Sequence, residues 1–195
     1  RGYRDIDSWR GGLSPIGEGE NESCPHGCGL CPDHRQGTCC VLLEVTKRCN
    51  LNCTFCFAEG GHGEDISFEN LCNQLKNLAV PGETLVQLSG GEPTMREDLP
   101  QIVAAAKDAG CRYVQLNTNG IKLAESLDYV SNLAEAGLSF VFMQFDGTND
   151  DIYNRLRGED LLDIKKKAIE NCNRYNIGVT LVPTLVPGVN TSDIG

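Results

Sequence analysis

The sequence lacks any apolar run approaching the roughly 18 residues that a membrane span requires. No signal-peptide pattern opens it either. It is also short of basic residues. Lys and Arg number 17 against 27 Asp and Glu, a net charge of −10, which argues against nucleic acid and anionic membrane surfaces as main partners. The only Trp, Trp9, falls in a Gly-, Ser- and charge-rich stretch, residues 1–23, that reads as loop or linker and carries no motif.

Cysteine is what the chain has in excess, 11 in 195 residues. A disulfide scaffold fits this poorly: the count is odd, the chain is long enough for a packed core of its own, and the cysteines fall in short-spaced groups. Metal ligation in a reducing cytoplasm is the expected use. The chain opens on Arg1 rather than Met and stops at Gly195, just past a strand-like segment. We expect it to be a piece of a longer protein.

The central group is Cys49-Asn-Leu-Asn-Cys53-Thr-Phe-Cys56. Three thiols within eight residues can wrap one face of a compact metal cluster, and three is one fewer than a closed Cys₄ site needs. A position left open is where chemistry takes place. A second group lies upstream, Cys24-Pro-His-Gly-Cys28-Gly-Leu-Cys31, with Cys39 and Cys40 after it. It repeats the same spacing, but no apolar strand precedes it. A fourth thiol, Cys39, lies within reach across a loop that spans ~3.3 Å per extended residue. Four thiolates close a site. The metal is an iron–sulfur cluster, a rubredoxin-like iron or a structural zinc, and ligand count does not choose between them. His26 and His34 read as solvated loop residues.

From Val41 onward apolar runs alternate with helical patterns. Strands are expected at Val41–Thr46, Thr84–Ser89, Tyr113–Asn117, Leu138–Asp146 and Ile177–Val186. Between them Ser67 caps a helix bearing Phe68, Leu71, Cys72, Leu75 and Leu78, and Pro81-Gly82 stops it. Further helices start at Asp98-Leu-Pro100, run through Leu123 to Leu133, and cover 160–175. Cys72, Cys111 and Cys172 read as core thiols. Strands separated by helices predict a parallel α/β sheet with both faces apolar. Cys49, the turn Gly90-Gly91-Glu92-Pro93, Asn117-Thr118 and Gln144 each follow a strand, and so gather at the carboxyl end of the sheet.

Cys-x₃-Cys-x₂-Cys with an aromatic before the last cysteine resembles the cluster motif of the radical S-adenosylmethionine (radical SAM) enzymes, and the strand–helix rhythm over 41–190 is similar to their partial (β/α)₆ barrel. That resemblance implies a barrel over 41–195 with about five strands present, preceded by a Cys-rich metal segment over 1–40. It implies that Cys49, Cys53 and Cys56 bind a [4Fe–4S] cluster whose fourth iron is chelated by SAM. One electron then splits SAM to methionine and a 5′-deoxyadenosyl radical. By the same resemblance Phe55, Gly90, Gly91, Glu92, Pro93, Asn117 and Gln144 contact the cofactor, with Thr118 an alternative to Asn117. The two glycines would let backbone approach the ligand. A satisfied polar barrel rim is the alternative reading of Asn117 and Gln144, and Phe57 packs either against adenine or the cluster or into the core.

The block from Cys24 to Ala58 is similar to one radical SAM subgroup, which includes archaeal tetraether lipid synthases and enzymes that methylate a pterin precursor of methanopterin. Members carry extra iron centres, matched here by Cys24, Cys28, Cys31 and Cys39. The resemblance implies C-methylation or C–C bond formation on a lipid or pterin-like small molecule, with a ferredoxin- or flavodoxin-type electron donor. The competing reading is an iron–sulfur electron carrier or zinc-stabilised module without SAM chemistry. The open three-cysteine site disfavours it, since carriers close their clusters with four ligands.

Overall fold

The computed structural model of the chain describes residues 39–56 and 64–193. Cys24, Cys28, Cys31, His26, His34 and Phe57 lie outside the described residues. The element order is β1 (Cys40–Thr46), α1 (Phe68–Leu78), β2 (Leu85–Gly90), α2 (Leu99–Asp108), β3 (Tyr113–Thr118), α3 (Ile121–Glu125), α4 (Leu127–Glu135), β4 (Phe140–Gln144), α5 (Asp150–Arg157), α6 (Leu162–Arg174) and β5 (Gly178–Val182). The five strands pair in chain order, all parallel.

An unbroken 1-2-3-4-5 order needs every crossover to run the same way, and crossovers of one hand place every helix on one face. The core shows this. Val41, Leu43, Val45, Val86, Leu88, Val114, Leu116, Val141 and Met143 share one apolar cluster with Leu71 and Leu75 of α1, Ile102 and Val103 of α2, Val130 and Leu133 of α4, and Ala168 and Cys172 of α6. The alternate residues of each strand face away from the helices. The expectation of strands apolar on both faces is therefore corrected: the sheet buries one face against the helices and leaves the other, concave in a barrel of this winding, partly exposed. Leu42 is 62% exposed beside the buried Val41 and Leu43.

Local signals set most boundaries. Ser67 caps α1 by accepting from the Asn70 N–H. Positive-φ glycines at 110 and 137 close α2 and α4. The helix expected through Leu123–Leu133 is two helices, because Ser126 leaves helical geometry and caps α4 through the Tyr129 N–H. β4 and β5 are shorter than expected. β5 ends at Val182, where Pro183 follows and has no N–H for a ladder. Of the three expected core thiols, Cys111 and Cys172 are buried, while Cys72 is only half-buried. Among the described residues no helix is long and apolar enough to cross a membrane.

Candidate active site

The chain leaving β1 is clamped at once to the turn that leaves β2. The Gly91 N–H donates to the Thr46 carbonyl at 2.9 Å, and the Glu92 N–H to the Arg48 carbonyl at 2.8 Å. The fit is close enough to require both glycines. A Cβ on Gly90 would lie 2.1 Å from the Thr46 oxygen, and one on Gly91 2.4 Å from the Arg48 oxygen. The absent side chains of the two glycines admit the backbone that delivers Cys49. Two further contacts fix the cysteine loop: Asn119 Nδ2 donates to Asn50 Oδ1 at 2.7 Å, and the Thr54 N–H donates to the Leu156 carbonyl at the end of α5. Three separate elements thus hold the eight-residue loop.

Cys49, Cys53, Phe55, Cys56, Gly90, Gly91, Glu92, Asn117 and Gln144 line one cavity of about 330 Å³, a volume within the range of small-molecule sites. Leu51, Ser89, Thr118, Asn119, Arg157, Val182 and Thr184 complete it. Pro93 does not line it; it is buried at the start of a 3₁₀ turn, Pro93–Met95. Cys39 stands apart, before β1, at the opposite end of the sheet.

Glu92 is the brace of this rim. Only 1% exposed, its Oε1 accepts from the Thr94 N–H (3.1 Å), the Thr94 hydroxyl (2.7 Å) and the Thr118 hydroxyl (2.6 Å), and its Oε2 from the Asn119 N–H (2.7 Å). The carboxylate therefore ties the exit of β2 to that of β3. The lone-pair capacity left on Oε2 is what it can offer a bound group. Asn117 Nδ2 donates to the Ser89 hydroxyl at 3.3 Å. Gln144 donates through Nε2 to Asp146 at 2.6 Å and accepts from Lys165 at 3.2 Å.

The thiols themselves are free and reach the cavity half-buried or exposed. Burial pushes the Cys49 thiol above its ordinary pKa, opposed by the Leu51 N–H at its sulfur, and Glu92, Cys53 and Cys56 raise it further. A thiolate is thus disfavoured at Cys49 unless a cation joins it. Among the described residues no three His, Cys, Asp or Glu side chains converge as a single-ion site. Three thiolates are the donor chemistry of an iron–sulfur cluster, in which each takes a different iron.

Three charged residues at the site were not expected from the sequence. Asp146, fully buried at the end of β4, receives Arg157 Nε at 2.8 Å and Nη2 at 3.0 Å, and the Thr184 N–H at 3.0 Å. Arg157 belongs to α5, which the sequence reading passed over, although Asn149, two acidic residues in its first turn and Gly158 after its end mark it as a helix. Lys165 is fully buried, with Nζ donating to the Asn119 carbonyl and to Gln144. Burial, opposed by the charges of Asp146 and Glu92, lowers its pKa to about 8. Its signal was a lysine on the apolar stripe of α6, in register with Leu161, Ala168 and Cys172.

A one-sided parallel half-barrel with three thiols at the exit of β1 defines a class of metal-dependent enzyme before any comparison is made. The comparisons name the family. The radical SAM superfamily model matches residues 43–195, and the chain belongs to that superfamily, whose cofactors are a [4Fe–4S] cluster and SAM. The chain is 43% identical to the 7,8-dihydro-6-hydroxymethylpterin dimethyltransferase of Methanocaldococcus jannaschii, over 99% of this chain and 40% of that protein. It is 36% identical to the Fe-coproporphyrin III synthase of Methanosarcina barkeri, over 72% of this chain and 35% of the other. The chain thus spans well under half the length of both relatives. The fold is shared with anSMEcpe bound to AdoMet and the Cp18Cys peptide, with a TM-score of 0.60 and 23% identity over 74% of this chain and 42% of that one.

Proposed function

We propose that this chain is the barrel segment of a radical SAM methyltransferase acting on a pterin-like small molecule. The observation that carries the reading is the convergence of Cys49, Cys53 and Cys56 on the cavity that the exits of β2, β3 and β4 also line. In this reading the three thiolates hold a [4Fe–4S] cluster, and Glu92, Asn117 and Gln144 face SAM. When bound, this pair supplies a 5′-deoxyadenosyl radical by one-electron cleavage of SAM. The protein's own part is positional. The Thr46–Gly91 and Arg48–Glu92 hydrogen bonds set where Cys49 leaves β1. Phe55 and Arg157 close the cavity on the α5 side. Asp146 fixes Arg157 and Gln144 together. The 43% identity to a protein named as a pterin dimethyltransferase supports the substrate class.

Cys24, Cys28, Cys31 and Cys39 hold a second iron–sulfur or mononuclear metal in this reading. β1 separates Cys39 from Cys49, and seven residues at a rise of ~3.3 Å span about 20 Å. A metal held at Cys39 would thus be a separate centre from the SAM cluster. A ferredoxin- or flavodoxin-type donor in the cytoplasm supplies the electron.

The test is anaerobic reconstitution of the full-length protein, reduction, and assay of SAM cleavage together with transfer of labelled methyl to 7,8-dihydro-6-hydroxymethylpterin. Cys53→Ala should abolish cleavage, and Cys24→Ala should remove the second metal while the SAM cluster remains. Iron-loaded protein that cleaves no SAM would leave the electron-carrier reading standing instead.

A further inference from the structure

The open face of the sheet is not uniform along the strands. Its amino-terminal half is apolar and aromatic: Leu42, Leu85, Tyr113 and Phe140, the two rings 5.5 Å apart. Towards the cavity it turns polar. Strand register puts Leu42, Gln87, Gln115 and Phe140 in one row. The row above holds Glu44, Ser89, Asn117, Phe142 and Thr180, since Glu44 pairs with Ser89, Asn117 with Phe142 and Phe142 with Thr180. Ser89 and Asn117 of this second row line the cysteine cavity, so both rows form a floor running directly away from it.

Glu44 is the unusual member. It is exposed, and it alternates with the buried Leu43 and Val45, so its side chain lies on the open face. No other Asp, Glu, Lys or Arg of the described strands lies on that face. Its carboxylate has no hydrogen bond or ion pair among the described residues, and the side-chain amides of Gln87 and Gln115 have none either. A lone carboxylate beside unengaged amides, with the Phe142 ring in the same row, can accept paired N–H donors from a flat ring and offer both donors and acceptors to the rest of its edge. Uncommitted polar groups of this kind, next to a cavity, are how a pocket fixes ligand orientation.

We propose that Glu44 is a specificity-determining residue that accepts two adjacent N–H groups of the substrate, so that the preferred substrate is a planar heterocycle with a 2-amino-4-oxopyrimidine edge. This inference rests on the pterin reading above and extends it to the atoms that are recognised. In a pterin the exocyclic amine and N3–H both donate on one edge, which suits a carboxylate. In the 2,4-dioxo analogue, a lumazine, that edge offers one acceptor and one donor, which suits a carboxamide.

The experiment is equilibrium dialysis of the reconstituted full-length protein, wild type and Glu44→Gln, against 6-hydroxymethylpterin and 6-hydroxymethyllumazine. Wild type should prefer the pterin by at least roughly tenfold, the scale of one hydrogen bond to a charged group lost to a mismatched edge. Glu44→Gln should bring the ratio close to one or invert it. A merely structural role for Glu44 would weaken both ligands alike and leave the ratio unchanged, which overturns the inference, as does a wild type that does not discriminate. If wild type binds neither heterocycle, the pterin reading itself fails and this inference with it. A pterin preference that survives Glu44→Gln sinks the inference alone.

Discussion

The guanidinium of Arg157 lies over the ring of Phe55, 4.6 Å from Cζ to the ring centroid, while Asp146 holds the same guanidinium through two hydrogen bonds. Phe55 sits between Cys53 and Cys56, so the buried pair at the end of β4 positions the loop that follows β1. Asp146 is fully buried and Arg157 nearly so. Removing one partner leaves an uncompensated charge. Arg157→Met should therefore cost about 3–5 kcal/mol. Phe55→Leu should cost only about 1 kcal/mol, the scale of a partly exposed cation–π contact. Urea unfolding of the metal-free chain measures both, and equal costs for the two variants would refute the argument. In the reconstituted protein both should lower iron content.

The glycines of the β2 exit offer a contrast within one sequence. Gly90 (φ +134°) and Gly91 face Thr46 and Arg48 backbone at distances no Cβ tolerates, whereas Gly158 (φ +80°), after α5, has nothing within 4 Å. Gly158→Ala carries only left-handed backbone strain, roughly 1–2 kcal/mol. Gly91→Ala carries no left-handed strain but must displace the backbone at Lys47 and Arg48 that delivers Cys49, so it should exceed that cost and lose bound iron and sulfide after reconstitution. Gly158→Ala should load normally. Normal loading of Gly91→Ala would show that the β1 exit shifts freely.

Glu92→Gln tests whether the rim is braced by a carboxylate specifically. The Thr94 N–H addresses Oε1 and the Asn119 N–H addresses Oε2. Backbone N–H groups only donate, so either orientation of a carboxamide sets its NH₂ against one of them. The cost should be about 1–3 kcal/mol, read from the urea midpoint. A variant within about 0.5 kcal/mol of wild type, the range of an ordinary surface change, would mean that the brace is dispensable.

The parallel sheet was readable because its punctuation is local: Ser67, Pro81-Gly82, Gly110 and Gly137 each end or begin an element through their own backbone preferences. The gathering of Cys49, Glu92, Asn117 and Gln144 was readable for the same reason, since each directly follows a strand. What could not be read depends on distant partners. Nothing near Gly90 says that Thr46 backbone will occupy the space of its Cβ. Nothing near Asp146 says that Arg157 will close on it, and α5 is a short helix whose apolar pattern covers barely two turns. The open face was legible at Glu44, Gln87, Gln115 and Asn117, polar residues at alternate positions of their strands, but Leu42, Phe140 and Phe142 at equivalent positions are apolar and mask the alternation. Lys165 was legible in hindsight as a charge on an apolar stripe.

Lys165 makes stability depend on pH in a defined direction. Its folded pKa, about 8, lies below the ordinary value of 10.5. Between those values the unfolded chain binds the proton and the folded chain does not, so stability rises with pH in that window. Below pH 8 the buried charge is retained at a cost of about 3.5 kcal/mol. Cys172, raised to about 11, and Tyr153, raised to about 12, both by burial, act in the opposite sense once pH passes their unfolded values. Comparison with Lys165→Met removes their contribution. Between pH 7 and 9 the wild type should gain about 1 kcal/mol relative to the variant in urea unfolding of the metal-free chain. The variant also leaves the Asn119 carbonyl and Gln144 without their donor, which lowers its stability at every pH and does not alter the slope. Parallel pH profiles for the two proteins would show that Lys165 keeps an ordinary pKa.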